Sequence, residues 1–263
     1  MKNFQLKKII AKSKKYIYGD LLGEHNSKQI GDGYDFAKIR PYEYGESIRR
    51  VDPFASAKTG EIYLRSFYES REVNVEVIGL MSGSLYFGSK SFKQNEVAQV
   101  ISNIGHDCIK NSDRFTLTLF SDRVLQRLKS TKKDTGVMYA VEQTLNQKVL
   151  NEQIDYEKLS EYALKNIKKR SYLFLVGDFF ELPQLKALSK KHEVVVVKVR
   201  DIFEQNPSKI GEIGIVDPSS GEKSDISFDS TNIQKYKKDL KNHDLKLREY
   251  LKNNGIRLIE WIN

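Results

Sequence analysis

From Val73 onward, short apolar runs alternate with segments whose apolar residues recur every three or four positions, and this alternation leaves few architectures open. Glu61 to Phe67, Val73 to Leu80, Phe115 to Phe120, Tyr172 to Gly177 and Glu193 to Val199 are rich in β-branched and apolar residues and read as strands. Helical patterns separate them: Phe92, Val97, Val100, Ile101, Ile104 and Cys108; Val137, Val141, Thr144 and Leu145; Leu159, Ala163 and Ile167. Strands joined through helices pair in parallel by right-handed crossovers. The expected fold class is therefore α/β, a doubly wound, mainly parallel sheet with helices on both faces.

Further along, Gly211 to Phe228 holds the turn Pro218, Ser219, Ser220, Gly221 between two strand-like pieces, a small β insert. A long helix around Ile233 to Lys252 and a last strand, Arg257 to Ile262, follow. Upstream, Phe4, Ile9, Ile10 and Ile17 among lysines predict a short basic helix from Phe4 to Tyr18. Gly23 to Thr59 is dense in Gly, Tyr and charge with weak periodicity, so irregular structure with short ribbons is expected there. Two parts result: residues 1–72, a helix and an irregular or β region docked on the core, and residues 73–263, the α/β domain with its insert near 211–228.

Composition narrows the function classes. With 39% apolar residues the chain can build a packed core. Its 44 Lys and Arg against 35 Asp and Glu give +9, but these are spread along the chain as Lys pairs, without a compact basic run. Nucleic acid is therefore not an expected partner. Cys108 is the single cysteine and can form no internal disulfide, which points to a reducing, cytoplasmic setting. No run approaches the roughly 18 apolar residues of a spanning helix, and only peripheral contact through the basic stretch Lys2 to Lys15 is open.

In an open parallel sheet, ligands bind beyond the carboxyl ends of the strands. Two loops stand there: Leu80, Met81, Ser82, Gly83, Ser84 after one strand, and Asp178 after another. Gly83, four residues, Gly88, then Ser89, Lys90 and Ser91 come near a phosphate-binding loop, but Ser89 intervenes before the Lys, and Tyr86 and Phe87 crowd the backbone. Ser82 and Ser84 also suit a turn that caps the next helix, and Asp178 suits the cap of a helix at Pro183.

The same residues resemble the metal site of von Willebrand factor A domains, in which an Asp-x-Ser-x-Ser loop, a Thr and a later Asp hold Mg²⁺. In that resemblance Ser82 and Ser84 match the serines, Asp178 the later Asp, and Thr135 or Thr131 the threonine, while Leu80 stands where the first Asp belongs. Exchanging a carboxylate for an alkyl group removes a hard ligand and its charge, so no cofactor is required and Mg²⁺ binding is expected to be weak or absent.

A longer match lies upstream: Gly23, Glu24, His25, Ser27, Gly31, Gly33, Asp35, Phe36, Ile39, Arg40, Tyr42, Gly45, Arg49, Asp52, Ala57 and Gly60, continuing through Arg65, Phe67, Glu69, Phe87, Gly88, Asp113 and Arg114 to Arg200, Asp201, Asp217, Pro218 and Gly221. This pattern resembles the bacterial domain-of-unknown-function family fifty-eight. The resemblance implies a von Willebrand factor A-like fold and a non-enzymatic adaptor or assembly factor working with a MoxR-type AAA ATPase or its client protein. Ser82, Ser84 and Asp178 would then be the partner-binding residues. Departures from the family pattern include Asp35, Glu46, Ser47, Pro53 and Leu80.

The charged residues Asp35, Arg40, Arg49, Arg50 and Asp52 are expected to form ion pairs that pin the N-terminal region to the sheet. His25, His106, His192 and His243 are too scattered for a zinc centre. No nucleophile with a base, and no paired-carboxylate site, stands at recognisable spacing, so no enzyme is expected. The alternative is a nucleotide- or metal-dependent hydrolase using Gly88 to Ser91 and Asp178.

Overall fold

The structure, a computed structural model, describes residues 30–31, 35–68 and 72–262. The expected helix from Phe4 to Tyr18 lies outside them. Two compact units are present, Gly19–Glu72 and Val73–Asn263.

The smaller unit is built on three strands, β1 (Ile30–Gly31), β2 (Asp35–Pro41) and β3 (Tyr63–Tyr68), antiparallel in the order β1-β3-β2. Between β2 and β3 come a 3₁₀ turn, Ile48–Arg50, and a helix, α1 (Pro53–Thr59). That helix corrects the expectation of irregular structure up to Thr59. It is set by its ends: the Asp52 carboxylate accepts from the N–H groups of Phe54 and Ala55, Pro53 takes the first turn, and Gly60 ends it at φ +77°. Phe54 is exposed, so no apolar period marked the segment.

In the larger unit the elements are β4 (Asn74–Leu80), α2 (Lys93–Lys110), β5 (Arg114–Phe120), β6 (Val124–Arg127), α3 (Asp134–Asn146), α4 (Tyr156–Asn166), β7 (Tyr172–Gly177), α5 (Lys186–Lys191) and β8 (Glu193–Arg200). Then follow α6 (Ile202–Gln205), β9 (Gly211–Val216), β10 (Lys223–Phe228), α7 (Ser230–Asn253) and β11 (Arg257–Ile262). Six strands make one sheet in the order β11-β8-β7-β4-β5-β6, all neighbours parallel except the antiparallel pair β5 and β6. The fold class read from the sequence is the one observed. β6, α5 and α6 are short elements the periodicity did not mark, and no helix starts at Pro183.

Both faces are covered. Ile78, Leu80, Leu173, Leu175, Val194 and Val196 pack with Leu159 and Ala163 of α4, Leu188 of α5, and Leu247 and Leu251 of α7. On the opposite face α2 buries Val97, Val100, Ile101 and Ile104. There a Cβ on Gly79 would meet Ile101 at 3.4 Å, so β4 and α2 are in contact. Each such aliphatic side chain contributes about 1.5–3 kcal/mol on burial. β9 and β10 form a separate antiparallel hairpin.

The chain enters the sheet at β4, runs outward through β5 and β6, then resumes at β7 on the other side of β4 and runs outward to β11. The pair β4 and β7 is therefore the topological switch point, where the loops leaving two adjacent strands diverge and open a crevice.

Candidate functional site at the switch point

Ser82, Ser84 and Asp178 meet at this crevice. After Leu80 the chain stays extended, with Met81 N–H bonded to Phe120 O at 2.7 Å, and then turns tightly through a 3₁₀ segment, Gly83–Tyr86. The turn brings Ser84 Oγ onto Asp178 Oδ2 and leaves Ser82 Oγ 2.7 Å from Ser84 Oγ. Gly83 is required by packing: a Cβ there would lie 2.2 Å from Pro218 O, at the turn between β9 and β10. The same carbonyl accepts from Asn151 N–H, and Gly83 N–H donates to Glu152 O, so the insert and the 149–152 loop clamp the serine loop.

Asp178 is followed by Phe179 in the left-handed region, φ +51°, which bulky residues rarely enter. Nε2 of His243 holds the Phe179 carbonyl at 2.8 Å, and the Phe179 ring is fully buried against Tyr156. Neighbouring Phe180 is thereby placed beside two cations. Its ring centroid lies 4.7 Å from Lys93 Nζ and 4.0 Å from Arg200 Cζ.

Lys93 is the residue that sequence reasoning missed. It is 1% exposed, at the start of α2, and its ammonium lies 3.1 Å from Asp178 Oδ2 and 2.7 Å from Glu204 Oε1. A cation at a helix N-terminus opposes the helix dipole, and an ammonium is costly to bury unless paired. Two carboxylates offset that cost here. The legible signal was a lysine four residues before Val97 and seven before Val100, on the stripe that continues through Ile101 and Ile104. Further along the crevice Lys198 Nζ bridges Asp244 (2.9 Å) and Glu260 (2.8 Å), and buried Arg200 reaches Asp244 at 3.5 Å.

The threonines expected to join this group do not. Thr131 pairs with Phe115 at the amino end of β5, and Thr135 is exposed in the first turn of α3, where Asp134 meets His106 of α2. Both stand at the edge of the sheet opposite Ser82, Ser84 and Asp178. The reason is β6, which returns the chain from the carboxyl to the amino edge before α3 begins. The Leu80 side chain lies among apolar neighbours, with Phe120 and Phe179 in the same core. Among the described residues no group of three or more His, Cys, Asp and Glu could hold a metal ion. Asp178, the carboxylate that remains of the resembled set, already has the Lys93 ammonium against it.

Gly88 to Ser91 do not converge on an anion. Ser89 N–H and Oγ both donate to Asp201 Oδ2, at 2.8 and 3.0 Å, Lys90 is exposed, and a Cβ on Gly88 would lie 1.8 Å from Ser91 O. Cys108 is buried, and burial pushes its thiol well above the usual range. Among the described residues of the smaller unit, Arg40 pairs with Glu46, and Arg65 Nε with Asp52 at 2.8 Å. Arg49 makes no ion pair among the described residues, Arg50 lies over the Phe67 ring, and the Asp35 side chain lies outside them.

Around the polar centre, Tyr86, Phe87, Phe92, Phe180 and Leu182 are all exposed, and Tyr86 stacks on Phe92 with centroids 4.5 Å apart. Beside Leu182 a cleft of about 410 Å³ is lined by Asp122, Asp155, Glu157 and Glu181.

The sheet order and the switch-point crevice define a doubly wound α/β protein with a lysine-filled polar centre at its carboxyl edge. The chain belongs to the family described as protein of unknown function DUF58, whose model matches residues 38–246. It is 22% identical over 225 residues to the uncharacterized proteins Rv1480 of Mycobacterium tuberculosis and Mb1516 of Mycobacterium bovis, covering 82% of this chain and 70% of each relative. Among solved structures it is similar to BatB from Bacteroides thetaiotaomicron, at 12% identity over 73% of this chain and 91% of that one, TM-score 0.44. The SpRpn10 VWA domain is similar at 10% identity over 73% and 89%, TM-score 0.40. No helix among the described residues is long and apolar enough to cross a membrane.

Proposed function

We propose that this protein works by binding another protein at the carboxyl edge of its sheet, as an adaptor or assembly factor without catalysis of its own. A MoxR-type AAA ATPase or its client is the proposed partner, on the family resemblance. The observation that carries the binding reading is the rim of exposed side chains Tyr86, Phe87, Phe92, Phe180 and Leu182 around a buried, charge-paired centre. Aromatic anchors around a fixed polar core are what protein interfaces favour, because rings bury much area at little entropic cost. The adjoining acidic cleft favours a partner surface that adds a basic residue to an apolar patch.

Ser82, Ser84 and Asp178 act in this reading through Lys93, which fixes their geometry from inside. The test is affinity purification of the intact protein from its source cell, beside a Tyr86→Ser/Phe92→Ser variant. Recovery of a MoxR-type ATPase or one defined client by the native protein, weakened at least tenfold by the variant, is expected. Equal recovery by both proteins would place the interface elsewhere.

A further inference from the structure

α7 is 24 residues long and buries only Leu247 and Leu251. The same side is held to the body by His243, bonded to Phe179 O at 2.8 Å, and by Asp244, paired with Lys198 at 2.9 Å. At about 100° per residue, Lys235, Lys238, Lys241, Lys246 and Lys252 fall within an arc of about 140° on the opposite side of the helix. All five are exposed, and none makes an ion pair among the described residues. Glu249 shares the arc and Asp239 borders it, so five positive charges stand against two negative. Arg248, at the flank, is taken up by Glu260 at 2.8 Å. Lysines that are spread out in the chain are gathered by the helix onto one face.

We propose that this face of α7 lies on a membrane surface of anionic phospholipid. The lysine ammonium is a hydrated point charge on a flexible stem, suited to a diffuse layer of negative charge, whereas a single defined oxyanion draws on the arginine fork, and the arc holds no arginine. It also holds no aromatic ring on which an unpaired base could stack. Leu245, 52% exposed, stands in the middle of the arc and adds apolar contact at the level of the headgroups. A helix of this length spans about 36 Å, long enough to lay several ammonium groups on one surface. Each lysine brought close to such a surface strengthens binding about fivefold.

Cosedimentation of the intact protein with lipid vesicles tests this. On phosphatidylcholine and phosphatidylserine mixed about two to one, binding at low salt and release at high salt are expected, with no binding to pure phosphatidylcholine. Lys238→Glu/Lys241→Glu is expected to weaken binding about tenfold or more, and the milder Lys238→Gln/Lys241→Gln to weaken it less. Lys168→Glu/Lys169→Glu is the control, with the same change in net charge at two exposed positions beyond α4. A greater loss in the α7 pair than in the control assigns the face to lipid. No pelleting with the mixed vesicles, equal loss in both pairs, or tighter binding of duplex DNA than of the mixed vesicles at the same salt overturns the proposal.

Discussion

The ammonium of Lys93 lies 3.1 Å from Asp178 Oδ2, joining the first turn of α2 to the end of β7 with both side chains buried. Lys93→Met keeps the length and apolar stem but leaves Asp178 and Glu204 facing each other without a cation. A loss of about 3–5 kcal/mol is expected from urea unfolding, the usual cost of breaking a buried pair from one side. Adding Asp178→Asn should recover part of it, since one uncompensated charge is then gone.

That pairing is also expected to oppose Mg²⁺ at this crevice. In Leu80→Asp a carboxylate enters an apolar neighbourhood, at a cost in stability, and Lys93 still occupies Asp178. Titration with Mg²⁺ is expected to give no heat for Leu80→Asp alone. Leu80→Asp/Lys93→Ser, which removes the competing ammonium and adds a hydroxyl, is expected to bind Mg²⁺ measurably. Equal Mg²⁺ binding by the single and double variants would show that Lys93 is no obstacle.

Gly83 meets Pro218 O so closely that Ala has no room: its Cβ would sit 2.2 Å from a backbone oxygen. Gly83→Ala should cost about 1–3 kcal/mol, the range for overpacking. The hairpin turn at Pro218 to Gly221 should also be cut faster by protease, because it must lift away. Unchanged cleavage would mean the serine loop shifts instead.

A pH dependence resides in His192, 2% exposed, with neither ring nitrogen hydrogen-bonded. Burial, with Lys191 and Arg170 nearby, pushes its pKa below the ordinary value of 6.5. The unfolded chain therefore takes up the proton first. Above about 6.5 the fold carries no penalty, and stability falls as pH drops from there toward the folded pKa, then levels off. Urea midpoints at pH 7.5 and 5.5 should differ less for His192→Phe than for the native protein.

Much of the architecture was legible in the linear order of residues. The strands from β4 to β8 and their helices follow from apolar period, because a two-sided parallel sheet needs apolar runs and amphipathic crossovers. The pairing of Ser82 and Ser84 with Asp178 also follows, since both loops leave carboxyl ends of strands in such a sheet. Other features needed the third dimension. Thr135 and Thr131 were displaced by β6, a four-residue strand too short for a periodic signal. α1 was written in its caps, Asp52, Pro53 and Gly60, rather than in any apolar face.

The sequence by itself determined the strand and helix alternation, the switch-point loops, and the lack of a carboxylate at Leu80. Only the tertiary structure decided what stands in for that charge. A lysine's polarity says that it belongs on the surface, although Lys93 keeps the spacing of the buried Val97, Val100, Ile101 and Ile104. Lys93 is instead buried because Asp178 and Glu204, from residues 85 and 111 positions away, converge on its ammonium. Electrostatic pairing at such separations is set by the folded geometry of β7 and α6, and the local sequence of α2 does not name the partners.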